Sequence, residues 1–555
     1  MGNNDSINEE HSSKLLDGQK FKYYISSALA WLKTNQEHIN SLNVFPVPDG
    51  DTGTNMVLTM QSAYNEISSS EESNIGKMAH TLAQGALMGA RGNSGVILSQ
   101  LWRGFARALD NFETADATKI VAALEEARNT AYKGVVRPVE GTILTVATDI
   151  AKRAREVIQY SNDSEILLGE IVKAADESVK HTPELLDKLK EAGVVDSGGK
   201  GLFILLEGIQ RQINNLSLET PLVSVTPLSA MNLVNIMESV EPGQDYEVVV
   251  DFAPHSALDL ENFYADLGEI GTSIQIGEGD GFYRMHIHVP TEKRYEPIDY
   301  TMKLGTVHKV AIENLIAQMD QQNKLSKKPL KLAKVEPDHI AVIAVSPGAG
   351  LSQIFASLSV AAIVEGGQTM NPSTEEIMKA FEDLPTDRII ILPNNKNIIL
   401  AAQQAASNSV KNVAVIPSKN IPQGLSALLH LIPDGDFDEI VSDMNIALTD
   451  IETGEITTAT RTATIDGVEV RKDEIIALHN GEIICSSPSL EETVFQFLES
   501  ADTTERERIT LYYGADITDS MVESLAEKIQ EKYPDQEIEF HEGGQPHYFY
   551  IMSVE

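Results

Sequence analysis

The chain has 555 residues, too many for one hydrophobic core, so roughly three domains of ordinary size are expected. Hydrophobic residues make up 42 % and charged residues 23 %, the balance of a globular protein, and no uncharged apolar run nears the twenty or so residues that span a bilayer. A formal charge of −39 argues against a protein that coats nucleic acid, and Cys485 as the single cysteine excludes an intrachain disulfide or an all-cysteine metal cluster, as in a reducing cytoplasm.

Residues 1–13 show no basic patch followed by an apolar stretch, so a flexible terminus without a secretion signal is expected. From 14 to 217 the apolar residues recur at three- and four-residue spacing, as in "KYYISSALAWLKTNQEHI", "MAHTLAQGALMGA" and "EILLGEIVKAADESVKH". This predicts an all-α domain, a helical barrel or bundle. Over 225–320 short alternating runs, "YEVVVDF", "TSIQIG" and "FYRMHIHV", predict strands, with helices near Ser256–Leu267 and Tyr295–Lys303, hence a small α/β domain. Residues 321–337 are basic and proline-containing, as in a linker. From 338 to 555 strand runs such as "IAVIAV", "RIIIL" and "NVAVIP" alternate with helical segments, which predicts an α/β domain with a mostly parallel sheet.

Four polar loops interrupt the helical region. In "LNVFPVPDGDTGTNM", Asp49 and Asp51 flank one glycine, so both carboxylates can turn to one centre. Paired hard oxygens suit Mg²⁺, and Asn43 offers a neutral oxygen beside them. Thr52, Thr54 and Asn55 can cap the following helix or meet a phosphate. "MGARGNSGVILSQ" places Gly92, Asn93, Ser94 and Gly95 at the start of a helical run, where backbone amides cradle anions. "VRPVEGTILTV" opens another helix at Gly141 and Thr142, and "GVVDSGGKGLFIL" sets Asp196 and Gly198 before a fourth. Together the loops predict a nucleotide site at one end of the bundle. In the middle region "MHIHV" puts His286 and His288 on one face of a strand, a metal-ligand spacing.

These four loops resemble those of the ATP-binding domain of dihydroxyacetone kinases, a barrel of about eight antiparallel helices in which magnesium ions on an aspartate cluster bridge the ATP phosphates. Asp49 and Asp51 match two metal ligands, and Asn43 stands where the sugar kinases carry a third aspartate. The spelling "NVFPVPDGDTGTNM", with "GGQTMNPSTEEI", "ILPNNKNIILAAQQA" and the ending "GGQPHYFYIMSVE", is similar to the large ATP-binding subunit of bacterial fatty acid kinase. That resemblance implies transfer of the γ-phosphoryl group of ATP to a fatty acid carboxylate held by a separate DegV-type fatty-acid-binding protein. The product is an acyl phosphate for phospholipid synthesis. It further implies Mg²⁺, Arg91 or Arg137 on the transferring group, a homodimer through the middle domain, and a C-terminal domain that docks the partner. In the middle domain it joins a cysteine to the two histidines in a zinc-type site, and Glu247 stands at that position here. A dihydroxyacetone-type kinase and a non-catalytic nucleotide-sensing scaffold are the alternatives.

Overall fold

The computed structural model describes residues 15–44, 50–135, 137–218, 226–227, 243–256, 258–279, 282–314, 330–368, 370–459, 462–465 and 467–555. The expected flexible terminus, Asp49 and the first part of the expected linker lie outside the described residues.

The N-terminal module is helical: α1 (Gly18–Thr34), α2 (Gln36–Ser41), α3 (Thr52–Ser68), α4 (Ile75–Met88), α5 (Gly92–Leu109), α6 (Ala117–Lys133), α7 (Ile143–Val157), α8 (Ser164–Leu185), α9 (Asp187–Ala192) and α10 (Ser197–Ile213). Short polar side chains start several of them by accepting an amide proton: Asp17 from Lys20, Asn74 from Lys77, Asp116 from Lys119. The first helical pattern divides at Asn35 into α1 and α2. Among the described residues, α1, α3, α4, α5, α6, α7, α8 and α10 pack each on the next and close a ring. Their inward faces bury Ile25, Trp31, Met60, Leu82 and Val146. The ring encloses an apolar cavity of ≈ 460 Å³ lined by Phe21, Leu101, Trp102, Phe105 and Leu206, among others.

The middle module is one five-stranded sheet in the order β1-β3-β4-β2-β5, with β1 (Thr226–Pro227), β2 (Tyr246–Pro254), β3 (Thr272–Gly279), β4 (Phe282–Val289) and β5 (Gly305–Asn314). Helices α11 (Leu260–Gly268) and α12 (Glu296–Leu304) accompany it. Phe252, Phe263, Met285 and Ile287 fill its core.

The C-terminal module holds two larger sheets. The strand–turn–helix alternation becomes a parallel sheet, β7-β6-β8-β9, from β6 (Ala341–Ser346), β7 (Ala362–Glu365), β8 (Arg388–Leu392) and β9 (Asn412–Val415). It is buried on both faces, which is why its strands read as continuous apolar runs. On one face Val342, Ala344 and Ile390 meet α13 (Ala349–Ser357), α16 (Ile421–Leu428) and α17 (Phe437–Ala447). On the other, Ile343, Val345 and Ile391 meet α14 (Thr374–Lys379) and α15 (Ile399–Asn408). Beside it stands a six-stranded sheet, β14-β13-β10-β17-β15-β16, antiparallel except for the β15–β16 pair. Its strands are β10 (Glu452–Thr458), β13 (Ile475–His479), β14 (Glu482–Ser487), β15 (Arg508–Tyr513), β16 (Glu537–Glu542) and β17 (Tyr548–Val554). A two-stranded ribbon, β11 (Ala463–Ile465) with β12 (Val468–Val470), lies between β10 and β13 in the chain. Helices α18 (Leu490–Ser500) and α19 (Asp519–Lys532) cover this sheet.

The helical ring and the parallel sheet share a core. Ala90 and Val96, from the turn before α5 and its first turns, join Ile343, Ile377, Phe381 and Ile398 in one apolar cluster. Among the described residues, no helix is long and apolar enough to cross a membrane.

Candidate functional site

The first residues of α3, α5, α7 and α10 meet at one end of the ring. The Ser197 hydroxyl donates to Thr52 Oγ1 at 3.1 Å, which joins the first and fourth loops. A methyl group placed on Gly198 would lie 3.4 Å from Ile143 Cβ and 3.6 Å from the Ser94 hydroxyl, so the second and third loops are in the same cluster. Each helix start carries partial positive charge, and four of them gathered on one spot form a strong anion site.

The backbone turns needed here are specific. Gly92 has φ +57°, and a Cβ on it would strike Asn55 Nδ2 at 2.5 Å; Gly141 has φ +80°. Both positions favour glycine for conformation and for space, since a Cβ on Gly141 would lie 2.9 Å from Thr182 O. Arg91 occupies the cap position of α5 and has no acceptor to offer, so the amides of Gly92, Asn93 and Ser94 open that helix without a side-chain cap.

Asp51 is 7 % exposed and caps α3 without a side-chain hydrogen bond to its amides. Asn43 is buried, its amide donating to Asn40 O. A buried carboxylate is a hard oxygen donor of the kind that fits Mg²⁺. Thr52 and Asn55 are buried at the same end. Thr54 binds α2 to α3: its hydroxyl accepts from Gln36 and Asn40, and its amide donates to Asn40 Oδ1. Thr142 donates to Val139 O and accepts from the Leu144 amide. Asn93 donates to Asn397 Oδ1 at 3.1 Å. Gly95 is packed against Thr59. Arg137 is exposed on the segment between α6 and α7.

Asp196 is buried and accepts from the Gly199 amide at 2.6 Å. Burial pushes its carboxyl up to about 6, against smaller opposing effects from the Gly199 and Ile143 amides. The folded chain therefore holds this proton more tightly than the unfolded chain. The resulting stabilisation is complete below the ordinary value of 3.8 and is lost as pH rises through about 6. Asp196→Asn is expected to be more stable than the wild type at pH 8, by up to about 3 kcal/mol, with the difference shrinking towards pH 4. Thermal unfolding of both proteins across that range checks this; a gap independent of pH would contradict it.

Two residues that the loop motifs pass over complete the cluster. Ser197 lies inside the "DSGG" loop, and Asn371 comes from the "GGQTMNPS" loop after β7. The Asn371 side-chain Nδ2 donates to Asp51 Oδ2 at 2.5 Å, while its backbone carbonyl oxygen accepts from Arg91 Nη1 at 2.8 Å. Arg91 also pairs with Glu376 at 3.1 Å. The only sequence hint at this contact is that the loop follows a strand of an open α/β sheet, where ligands commonly lie.

A second cluster lies in the middle sheet. His286 and His288 alternate on β4, and Glu247 stands opposite His288 on β2. One ligand atom from each of the three lies within 4.8 Å of the others, with His286 Nε2 3.6 Å from Glu247 Oε1. Both imidazoles are fully buried, and no hydrogen-bond partner meets any of their four ring nitrogens among the described residues. Burial pushes His286 down to about 3, helped by His288, and His288 down to about 4. Two neutral imidazoles with open lone pairs and a carboxylate form a donor set that fits a zinc-type ion.

Family models match along most of the chain: the DAK2 domain over residues 46–211, the FakA-like middle domain of fatty acid kinase over 242–322, and the FakA-like C-terminal domain of fatty acid kinase over 341–555. An uncharacterized protein of Staphylococcus epidermidis is 38 % identical over 553 residues, covering 97 % of this chain and 99 % of its own. One from Staphylococcus aureus is 38 % identical over 550 residues with the same coverage. Among solved structures, dihydroxyacetone kinase from C. freundii in complex with AMP-PNP and Mg²⁺ matches 34 % of this chain and 33 % of that one, with a TM-score of 0.28 and 15 % identity. DegV, a fatty acid binding protein from Bacillus subtilis, matches 39 % of this chain and 98 % of that one, with a TM-score of 0.30 and 12 % identity.

Proposed function

The chain belongs to the FakA-like family of fatty acid kinase proteins, and on that premise we propose that it is the ATP-binding subunit of a fatty acid kinase. It passes the γ-phosphoryl group of ATP to a fatty acid carboxylate presented by a separate DegV-type fatty-acid-binding protein, and the product is an acyl phosphate. The observation that carries this reading is the meeting of four helix starts around the buried Asp51. That arrangement supports a polyphosphate site.

A carboxylate acceptor is already ionised at neutral pH, so it needs no general base, and none of the four loops contains a histidine. The work left to the chain is placement and charge neutralisation. The amides of Gly92, Asn93 and Ser94 receive phosphate oxygens, Gly141 and Gly198 let the backbone approach closely, and Asp196 fixes the fourth loop through the Gly199 amide. Asp51, with Asn43 and Asp49, would hold Mg²⁺, which when bound neutralises phosphate charge.

The test is to combine the protein with ATP, Mg²⁺, oleate and its lipid-binding partner, and to trap product with hydroxylamine. Fatty hydroxamate is expected. No hydroxamate across several fatty acids and partners would sink the assignment.

A further inference from the structure

The carboxyl edge of the parallel sheet faces the nucleotide loops. The loop after β7 crosses to them, where the Thr374 amide donates to Ala90 O at 3.2 Å and Asn371 reaches Asp51. The loop after β8 brings Asn397 to Asn93, and Gln404 on α15 meets Gln100 at 2.8 Å. These contacts sit on the apolar cluster shared by the two modules, so the edge is held firmly in place.

Asn371 is the residue of this edge that is hydrogen-bonded to Asp51. It is 4 % exposed, and an ionised carboxylate can only accept, so its Nδ2 must be the end turned to Asp51. Its Oδ1 is then the other arm of the same planar amide. That oxygen is buried and meets no donor among the described residues. Pairing is the rule for buried polar atoms, and leaving one unpaired is costly. The Pro372–Ser373 segment and the capping box of α14, in which Ser373 and Glu376 exchange hydrogen bonds, hold the loop in this position. The orphaned oxygen, geminal to the nitrogen that holds Asp51, therefore stays close to that carboxylate, in a loop fixed in place.

We propose that Asn371 is a nucleotide-site residue supplied by the C-terminal module: its Nδ2 orients Asp51, and its Oδ1 is a neutral oxygen for the hydrated divalent cation that accompanies the nucleotide. The proposal rests on the kinase reading above. It makes the site composite, with charged ligands from the helical ring and a neutral one from the sheet module. Most buried amides have both ends paired within the protein.

Mn²⁺ and ADP serve as binding probes on the full chain, with affinity read by calorimetry and by the paramagnetic signal of bound Mn²⁺. Asn371→Ala is expected to weaken Mn²⁺ binding in the presence of ADP by about tenfold. Asn371→Asp, which sets a second carboxylate beside Asp51, is expected to bind Mn²⁺ more tightly than the wild type while unfolding at a lower temperature without metal. Gln404→Leu, which disturbs the module contact away from Asp51, should leave Mn²⁺ affinity unchanged. Asp51→Ala is the control for the site itself. If it leaves Mn²⁺–ADP binding intact, the nucleotide-site reading falls. If it abolishes binding while both Asn371 variants behave as wild type, or if Gln404→Leu matches Asn371→Ala, only the role of Asn371 falls.

Discussion

Replacing Asp51 with alanine is expected to slow phosphotransfer from ATP by roughly 10²–10³-fold or more, with the helical ring still folded. The structural cost is limited for a residue at 7 % exposure, because the side chain accepts no hydrogen bond from the amides of α3. What is lost is the acceptor of the Asn371 amide, and an orphaned buried donor costs about 1–3 kcal/mol. The catalytic cost is of another order, since this carboxylate stands where four helix starts meet. Asp51→Asn separates the two effects by keeping the volume and removing the charge. It should melt close to the wild type yet remain inactive. Rates with ATP and a fatty-acid-loaded partner, beside circular dichroism of both variants, check this; activity within tenfold of wild type would remove Asp51 from the site.

Protein purified without chelator is expected to carry about one zinc-type ion per chain, bound in the middle sheet. Two fully buried imidazoles with open nitrogens leave few alternatives, because histidines at such depth normally find a donor or acceptor. Their low pKa values keep both neutral at physiological pH, the form that binds metal. Glu247 in place of a thiolate weakens the site and makes it less selective. At a free ion concentration about 1,000 times the dissociation constant, binding adds about 4 kcal/mol to the module's stability. Chelation should then lower its melting temperature by on the order of ten degrees or more. His288→Ala should abolish both the metal content and the chelator effect. Metal analysis that finds no bound ion in freshly purified protein is the outcome against this assignment.

The helical module was readable because its signals are local. Period-3.6 burial and asparagine or aspartate caps need only a few neighbouring residues, as at Asn74 and Asp116. The middle-domain helices expected near Ser256–Leu267 and Tyr295–Lys303 appear as Leu260–Gly268 and Glu296–Leu304, shifted by the few residues over which end signals compete. The parallel sheet was readable from "IAVIAV", since burial on both faces leaves an unbroken apolar run. The second sheet was harder, because β10 pairs with β13 and β17, and the β17 partners stand almost a hundred residues on. Least readable was the contact between modules. Asn371 in a glycine and proline loop has the composition of an ordinary turn, and Ala90 and Val96 look like residues of the ring's own core although they pack against the sheet. Nothing local separates those alternatives.

The hydrogen bond from Asn371 to Asp51 joins residues 320 positions apart. During synthesis the ring, complete at Ile213, is made before its cover exists: the 158 residues from there to Asn371 (371 − 213) take about 8–32 s at usual elongation rates of ~5–20 residues per second. Over that interval the nascent chain already has its anion loops but not the neutral amide beside Asp51. The order of translation thus makes the phosphate cradle an early product and the finished site a late one, assembled only after the sheet module has folded onto the ring.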